Sequence, residues 1–371
     1  MLIGVPSEIK AQELRVGLTP TSVQELVNHG HKVLVQDQAG YGAGFENSDY
    51  ENTGAKIINE ASDIYNDADL IVKVKEPLQN EIEMIRENQI LFTYLHLAAA
   101  PELTAGLIKS KAICIAYETV TDENNRLPLL APMSAVAGRM SIQAGAHSLE
   151  KAQQGRGLLL GGAPGVNPAN VLILGGGVVG ENAADIATGM KAKVTILDKS
   201  TQRLKTLQNK FGKLIDPHLI DDIDLKEYVK KCDLLIGGVL IPGSNAPKLI
   251  SKEMINLMKR GSVIVDVAID QGGCVATSKP TTHANPTYLV NEVVHYCVTN
   301  MPGGVPMTST LALNAATLPY VLKLAQHGYK EALSTDVNFL EGLNLCKGQV
   351  TYKAVAEDLG YEYVNPNIAI N

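Results

Sequence analysis

Short runs of aliphatic and β-branched residues alternate along this chain with longer stretches of helical periodicity, and the alternation occurs twice. In the first half, residues 32–36, 70–75, 90–96 and 112–117 predict buried parallel strands. Stretches 20–29, 80–87 and 101–110 predict helices between them, a βαβ rhythm. A proline-rich connection at 127–133 follows. Residues 134–153 contain no proline and predict one long helix with Ser134 as its N-cap. After a Gly/Pro loop at 160–168, strand patterns return at 171–174, 193–198, 232–237, 262–270 and 295–299. Beyond a second such loop at 301–306, helical periodicity resumes at 310–326 and 353–359, with no sign of a third sheet.

The pattern predicts an α/β protein of two Rossmann-like, doubly wound parallel-sheet domains joined by long helices, with a cleft between them. The C-terminal helices pack most economically on the first sheet. That makes the first domain discontinuous, 1–130 with 307–371, around a second domain at 131–306.

The strongest local motif is 171–180, where Val171-Leu172-Ile173-Leu174 runs into Gly175-Gly176-Gly177-Val178-Val179-Gly180. A helical pattern follows, then a second strand ending in Asp198, which completes a dinucleotide-binding fingerprint. Gly175 permits the tight turn, Gly177 lets the backbone approach a pyrophosphate, and Gly180 lets the helix pack on its strand. The helix N-terminus supplies N–H groups and its positive dipole end to phosphates. Asp198 occupies the ribose position, where a carboxylate accepts from a 2′-hydroxyl and repels a 2′-phosphate, so NAD is expected over NADP. Arg203 stands one turn beyond, either flanking the adenosine or on a solvated helix face.

Composition narrows the field of partners. Lys and Arg number 32 against 39 Asp and Glu, with no block of like charge, which argues against nucleic acid. No apolar run reaches the ~18 residues of a membrane span, and the N-terminal residues lack the basic and apolar regions of a leader. A soluble, cytoplasmic protein is expected. The five cysteines are widely spaced with no C-x-x-C, indicating neither a disulfide framework nor a zinc site, and no metal is expected.

Ligands of open parallel sheets bind beyond the carboxyl ends of strands. There the pattern places His96, able to exchange protons near neutrality, together with Lys75 and Asp270. Arg15 offers a bidentate fork for a carboxylate. Each also has a plain structural reading: a hydrogen-bonded histidine, a solvated loop cation at Arg15, and at Asp270 a turn residue bonding the local backbone.

Further segments bear on the choice: Gly4-Val5-Pro6-Ser7-Glu8-Ile9-Lys10, Arg15-Val16-Gly17-Leu18-Thr19-Pro20, Val74-Lys75-Glu76-Pro77-Leu78, Thr93-Tyr94-Leu95-His96, Asp266-Val267-Ala268-Ile269-Asp270-Gln271-Gly272-Gly273 and Asn300-Met301-Pro302-Gly303. In order, and across nearly the whole chain, they resemble the alanine dehydrogenase family, which also includes the transhydrogenase α subunit. The resemblance implies reversible, NAD-linked oxidative deamination of L-alanine to pyruvate and ammonium. It implies His96 and Asp270 as the catalytic pair, with Arg15 and Lys75 binding substrate. Ser134, Val178, Val179, Asp198, Arg203, Val239, Leu240, Val267, Ala268, Ile269, Asp270, Val298, Thr299, Asn300 and Met301 would line the dinucleotide. It further implies a homo-oligomer, commonly a hexamer. Ala135, Ala276 and Met307 depart from the family pattern, which favours acidic residues at the first two and arginine at the third. A transhydrogenase-α-like protein, a saccharopine-type dehydrogenase and a non-catalytic NAD-binding regulator share parts of this pattern; the His96 and Asp270 pair weighs against the first, and a regulator need not retain Lys75, His96 and Asp270 together.

Overall fold

The computed structural model describes residues 1–239 and 246–371. The chain divides into two compact units, Met1–Met133 with Val305–Asn371, and Ser134–Gly304.

The first unit opens with six strands: β1 (Leu2–Val5), β2 (Lys32–Gln36), β3 (Lys56–Ile58), β4 (Leu70–Val72), β5 (Ile90–Thr93) and β6 (Ile113–Ala116). They lie side by side as β3-β2-β1-β4-β5-β6, every neighbouring pair parallel. The order reverses between β1 and β4, the switch point at which doubly wound sheets bind ligands. Strands β4, β5 and β6 are buried at every position, as a sheet covered on both faces requires.

The second unit repeats this plan with β7 (Asn170–Leu174), β8 (Lys193–Asp198), β9 (Ile215–Leu219), β10 (Leu234–Gly237), β11 (Val263–Asp266), β12 (Thr287–Val290) and β13 (Val293–Tyr296). Their order is β9-β8-β7-β10-β11-β13-β12, with the switch point between β7 and β10. Two late strands, β14 (Leu343–Cys346) and β15 (Gln349–Val350), extend the first sheet beyond β6. Both sheets are thus mostly parallel, each with an antiparallel edge.

Several expectations need correction. Strand β1 escapes the pattern because it is four residues long and interrupted by Gly4, where a Cβ would press on Ile64, Ala68 and Ile71. The edge hairpins escape because their turns carry unusual residues. Asn291 and Glu292 both hold positive φ (49° and 60°), as do Lys347 and Gly348 (51° and 85°), the signs a two-residue primed turn demands. Ser134 is not an N-cap. Its helix begins at Ala131 and ends at Ser148, because Pro132 is tolerated in a first turn where no intrahelical N–H bond is lost. The helix expected at 310–326 runs over Pro306–Ser334, interrupted only by the non-helical Gly328. Among the described residues no helix is long and apolar enough to cross a membrane.

Candidate active site

In the first unit the polar residues gather where β1, β4, β5 and β6 end. The loop after β1 comes close to the end of β4 at Gly17, where any Cβ would overlap the Val72 carbonyl. The helix Pro306–Ser334 anchors the same loop: Asn314 Oδ1 accepts from Thr19 N at 2.8 Å, Asn314 Nδ2 donates to the Gly17 carbonyl at 3.2 Å, and Thr310 Oγ1 accepts from Val16 N at 3.3 Å. Arg15 is consequently no solvated loop cation. It is buried, donating from Nε and Nη2 to the two Glu13 carboxylate oxygens at 2.6 and 2.5 Å, and from Nη1 toward Met133 Sδ at 3.1 Å. Burial alone would lower its pKa, but the Glu13 hydrogen bonds and charge hold the guanidinium above its ordinary value.

Strand β4 ends at Val72, three residues short of Lys75. Two lysines follow it with opposite fates. Lys73 is fully buried between Glu81 at 2.7 Å and Glu8 at 3.3 Å, while among the described residues Lys75 forms no ion pair within 4.0 Å. Glu8 pins this segment by accepting from Val74 N at 2.7 Å and Lys75 N at 3.3 Å. Burial, then the neighbouring charge of Arg15, push the Lys75 ammonium below the ordinary lysine value.

His96 lies beyond the end of β5, in a left-handed conformation with φ 51° and ψ 41°, rather than within the strand. Glu118, just past β6, creates that turn. Its Oε1 accepts from His96 N at 2.6 Å, both carboxylate oxygens accept from Leu95 N at 3.2 Å, and Oε1 stands 3.8 Å from His96 Nδ1. The imidazole stacks parallel to Tyr94, whose hydroxyl donates to the Leu129 carbonyl at 2.6 Å. A half-exposed ring is thereby held at a fixed angle beside a carboxylate.

In the second unit the glycine turn follows β7 directly. Gly175 holds φ 91°, and a Cβ there would meet the Gly238 carbonyl at 2.8 Å; at Gly180 it would overlap the Gly175 carbonyl. At Gly177 it would meet nothing within 4 Å. The turn is closed behind and open in front of the helix Val178–Gly189, as a pyrophosphate cradle requires. Asp198, the last residue of β8, accepts from Gly176 N at 2.7 Å and Ser200 N at 2.8 Å. Arg203 is half-buried, bonded to the Gly176 carbonyl and Glu181, so it is not a solvated helix residue.

Asp270 also departs from the expected strand end. Strand β11 stops at Asp266, and Asp270 is exposed on the 3-10 turn Val267–Gln271, closed by Gly272 and Gly273 at φ 83° and 77°. Its Oδ1 accepts from Asn300 N at 3.4 Å, tying it to the loop after β13. Val179, Ala268, Ile269, Val298 and Met301 have buried side chains, so their backbones are what a ligand would meet; Val178 is exposed, and Val267, Val239, Thr299 and Asn300 are partly so. Ser134 is partly exposed within the first turn of its helix. Leu240 lies outside the described residues.

Two family models divide the chain: "Alanine dehydrogenase/PNT, N-terminal domain" matches residues 4–137, and "Alanine dehydrogenase/PNT, C-terminal domain" matches residues 141–353. The chain belongs to the alanine dehydrogenase/PNT family. Within that family it is 57% identical to an alanine dehydrogenase of Halomonas elongata over 98% of each chain, and 52% identical to one of Methanococcus maripaludis over the whole of both. A solved L-alanine dehydrogenase superposes with a TM-score of 0.94 at 52% identity, covering 97% of this chain and 99% of that one. A transhydrogenase from Sinorhizobium meliloti, at 23% identity and a TM-score of 0.82, shares the fold of the alanine dehydrogenase/PNT family over 95% of this chain and 100% of its own.

Sequence reasoning missed the residues that set these positions. Asp266, fully buried, accepts from Val275 N at 3.1 Å and Ser278 Oγ at 2.6 Å, which fixes the far side of the Asp270 turn. Lys248 Nζ donates to the Gly273 carbonyl at 2.9 Å from the opposite side. A carboxylate at the end of an aliphatic strand was the one available signal for Asp266; nothing local marks Lys248.

Proposed function

We propose that this chain interconverts L-alanine with pyruvate and ammonium, with NAD as hydride carrier. Kinship with alanine dehydrogenases over 98% of both chains carries the reading. The glycine turn supports a dinucleotide, and Asp198 at the end of β8 supports NAD as the form used. We assign the first unit to substrate and the second to the cofactor.

When bound, the nicotinamide ring supplies a hydride acceptor for C2 of alanine. The chain's own groups do the remaining work. Lys75, a cation with no ion-pair partner among the described residues, holds the substrate carboxylate and, in the reverse direction, polarises the pyruvate carbonyl oxygen. Arg15, its orientation fixed by Glu13, adds a second positive charge for the carboxylate. His96 takes a proton from the water that attacks C2 and returns it to the departing amine. Asp270 stabilises the cationic amine by opposite charge. Val267 to Asp270 and Val298 to Met301 offer backbone groups to the dinucleotide. We also assign the enzyme to the cytoplasm, where a reducing environment suits five free, buried cysteines, and to a homo-oligomer of the hexameric kind.

The test follows loss of NADH absorbance with pyruvate and ammonium, beside NADPH, beside 2-oxoglutarate with lysine, and without ammonium. Rapid oxidation confined to NADH, pyruvate and ammonium is expected. Oxidation by 2-oxoglutarate with lysine, or none under any condition, would overturn the assignment.

A further inference from the structure

Two cations converge on Glu181, and one of them, Arg203, shares the surroundings of Gly176 with Asp198. Arg203 rises from the helix Thr201–Phe211, capped by Ser200 two residues past Asp198. Its Nε donates to the Gly176 carbonyl, and its Nη2 donates to Glu181 Oε2. Two turns along the same helix, Lys210 Nζ donates to Glu181 Oε1 at 2.7 Å. Glu181 sits in the first turn of the helix that follows the glycine cradle. Partial burial alone would raise its pKa, but hydrogen bonds from Lys210 and Arg203 hold the carboxyl below its ordinary value, so it is ionised at neutrality.

In dinucleotide-binding sheets of this order, an arginine near the ribose position accommodates the 2′-phosphate of NADP, whereas an acid there binds the 2′-hydroxyl of NAD. This chain carries both, an acid at Asp198 and an arginine at Arg203. Asp198 repels a 2′-phosphate directly, yet it leaves open why a nearby guanidinium and ammonium should not offset that repulsion. Glu181 answers this. Glu181 balances part of the charge of both cations and draws one charge-assisted hydrogen bond from each, so Arg203 Nη2 and Lys210 Nζ are held on the carboxylate.

We propose that Glu181 is a second selector of NAD over NADP: by engaging both Arg203 and Lys210, it withholds from a 2′-phosphate the cations that would neutralise it. The proposal rests on the dinucleotide reading of the glycine turn. A merely structural Glu181 would act otherwise. As a tether for Arg203 against Gly176 it would support the turn for any adenine nucleotide, and its loss would weaken NAD and NADP alike.

The experiment compares the full chain with Glu181→Gln, Asp198→Ala and the double variant, measuring by calorimetry the affinity for 2′,5′-ADP relative to 5′-AMP. The NADPH-to-NADH ratio of kcat/KM is taken in parallel. Releasing one charged partner is worth about tenfold. Glu181→Gln is therefore expected to raise the 2′,5′-ADP preference by about tenfold on the Asp198→Ala background, and less where Asp198 remains. Adding Arg203→Ala together with Lys210→Ala should abolish the gain. Glu181→Ala repeats the test should the amide disturb the turn. A preference unchanged on both backgrounds, or equal weakening of both nucleotides, overturns the selector. Failure of the unaltered chain to bind 5′-AMP or NADH overturns the dinucleotide reading itself, and the selector with it.

Discussion

The two units of this chain share one topology and differ in what the first loop of each sheet contains. Both place the first strand in the middle, wind outward on one side, and reverse at the next strand. In the second unit the loop after β7 is glycine and, on the proposed function, would meet its ligand with backbone. In the first unit the loop after β1 carries Glu8, Glu13 and Arg15, all tucked into the protein, and on the proposed function would meet its ligand with side chains. The switch point is a place rather than a chemistry. Backbone N–H groups at a helix start recognise phosphate, and buried, oriented cations recognise a small carboxylate.

Substitutions should separate the two roles, beginning with the largest effect. His96→Ala removes the only assigned proton carrier, so turnover should fall by about 10²- to 10⁴-fold, while the Kd for NADH, titrated by its fluorescence, stays close to that of the unaltered enzyme. Loss of NADH binding in that variant would tie His96 to the cofactor and erase the division of labour. Next come two glycines three residues apart. Gly180→Ala forces a methyl group onto the Gly175 carbonyl, and overpacking of this kind costs about 1–3 kcal/mol, visible as a lower Tm. Gly177→Ala meets open space and has a φ of −64° that alanine accepts; Tm should hold while NADH binding weakens by about tenfold, the worth of one displaced charge-assisted contact. Equal behaviour of the two variants would contradict the cradle.

The smallest effect concerns pH. Lys75 must be protonated to hold a carboxylate, and its pKa is lowered by burial and by Arg15. Binding is then lost as pH rises through that lowered value, so KM for pyruvate should climb at a pH below the ~10.4 of a free lysine. In Lys75→Arg, whose charge persists, the climb should vanish whatever the fall in kcat. A KM that rises identically in both would move the titration to another group.

How much of this was legible in the sequence follows the same division. Backbone recognition leaves a compact trace, since the glycines, the strand before them and the acid that ends the next strand lie within 28 residues, 171 to 198. Side-chain recognition leaves fragments. Arg15 read more readily as a solvated loop cation because Thr310 and Asn314, which anchor the loop that follows it, come near only on folding, although its partner Glu13 stands two residues away in the sequence. His96 was visible as a residue, but the left-handed turn that aims it depends on Glu118, 22 residues away on another strand end. The edge hairpins were missed for a local reason, because Asn291-Glu292 and Lys347-Gly348 are uncommon occupants of turns that usually carry Asn-Gly or Asp-Gly.

The central claim is that hydride passes between the dinucleotide and C2 of a carbon skeleton whose carbonyl has been exchanged for nitrogen. Mass spectrometry of the product from pyruvate, ammonium and NADH carrying deuterium at both C4 positions tests it directly. Alanine carrying deuterium on its α-carbon is the predicted result. Deuterated lactate, or alanine without the label, would contradict the account.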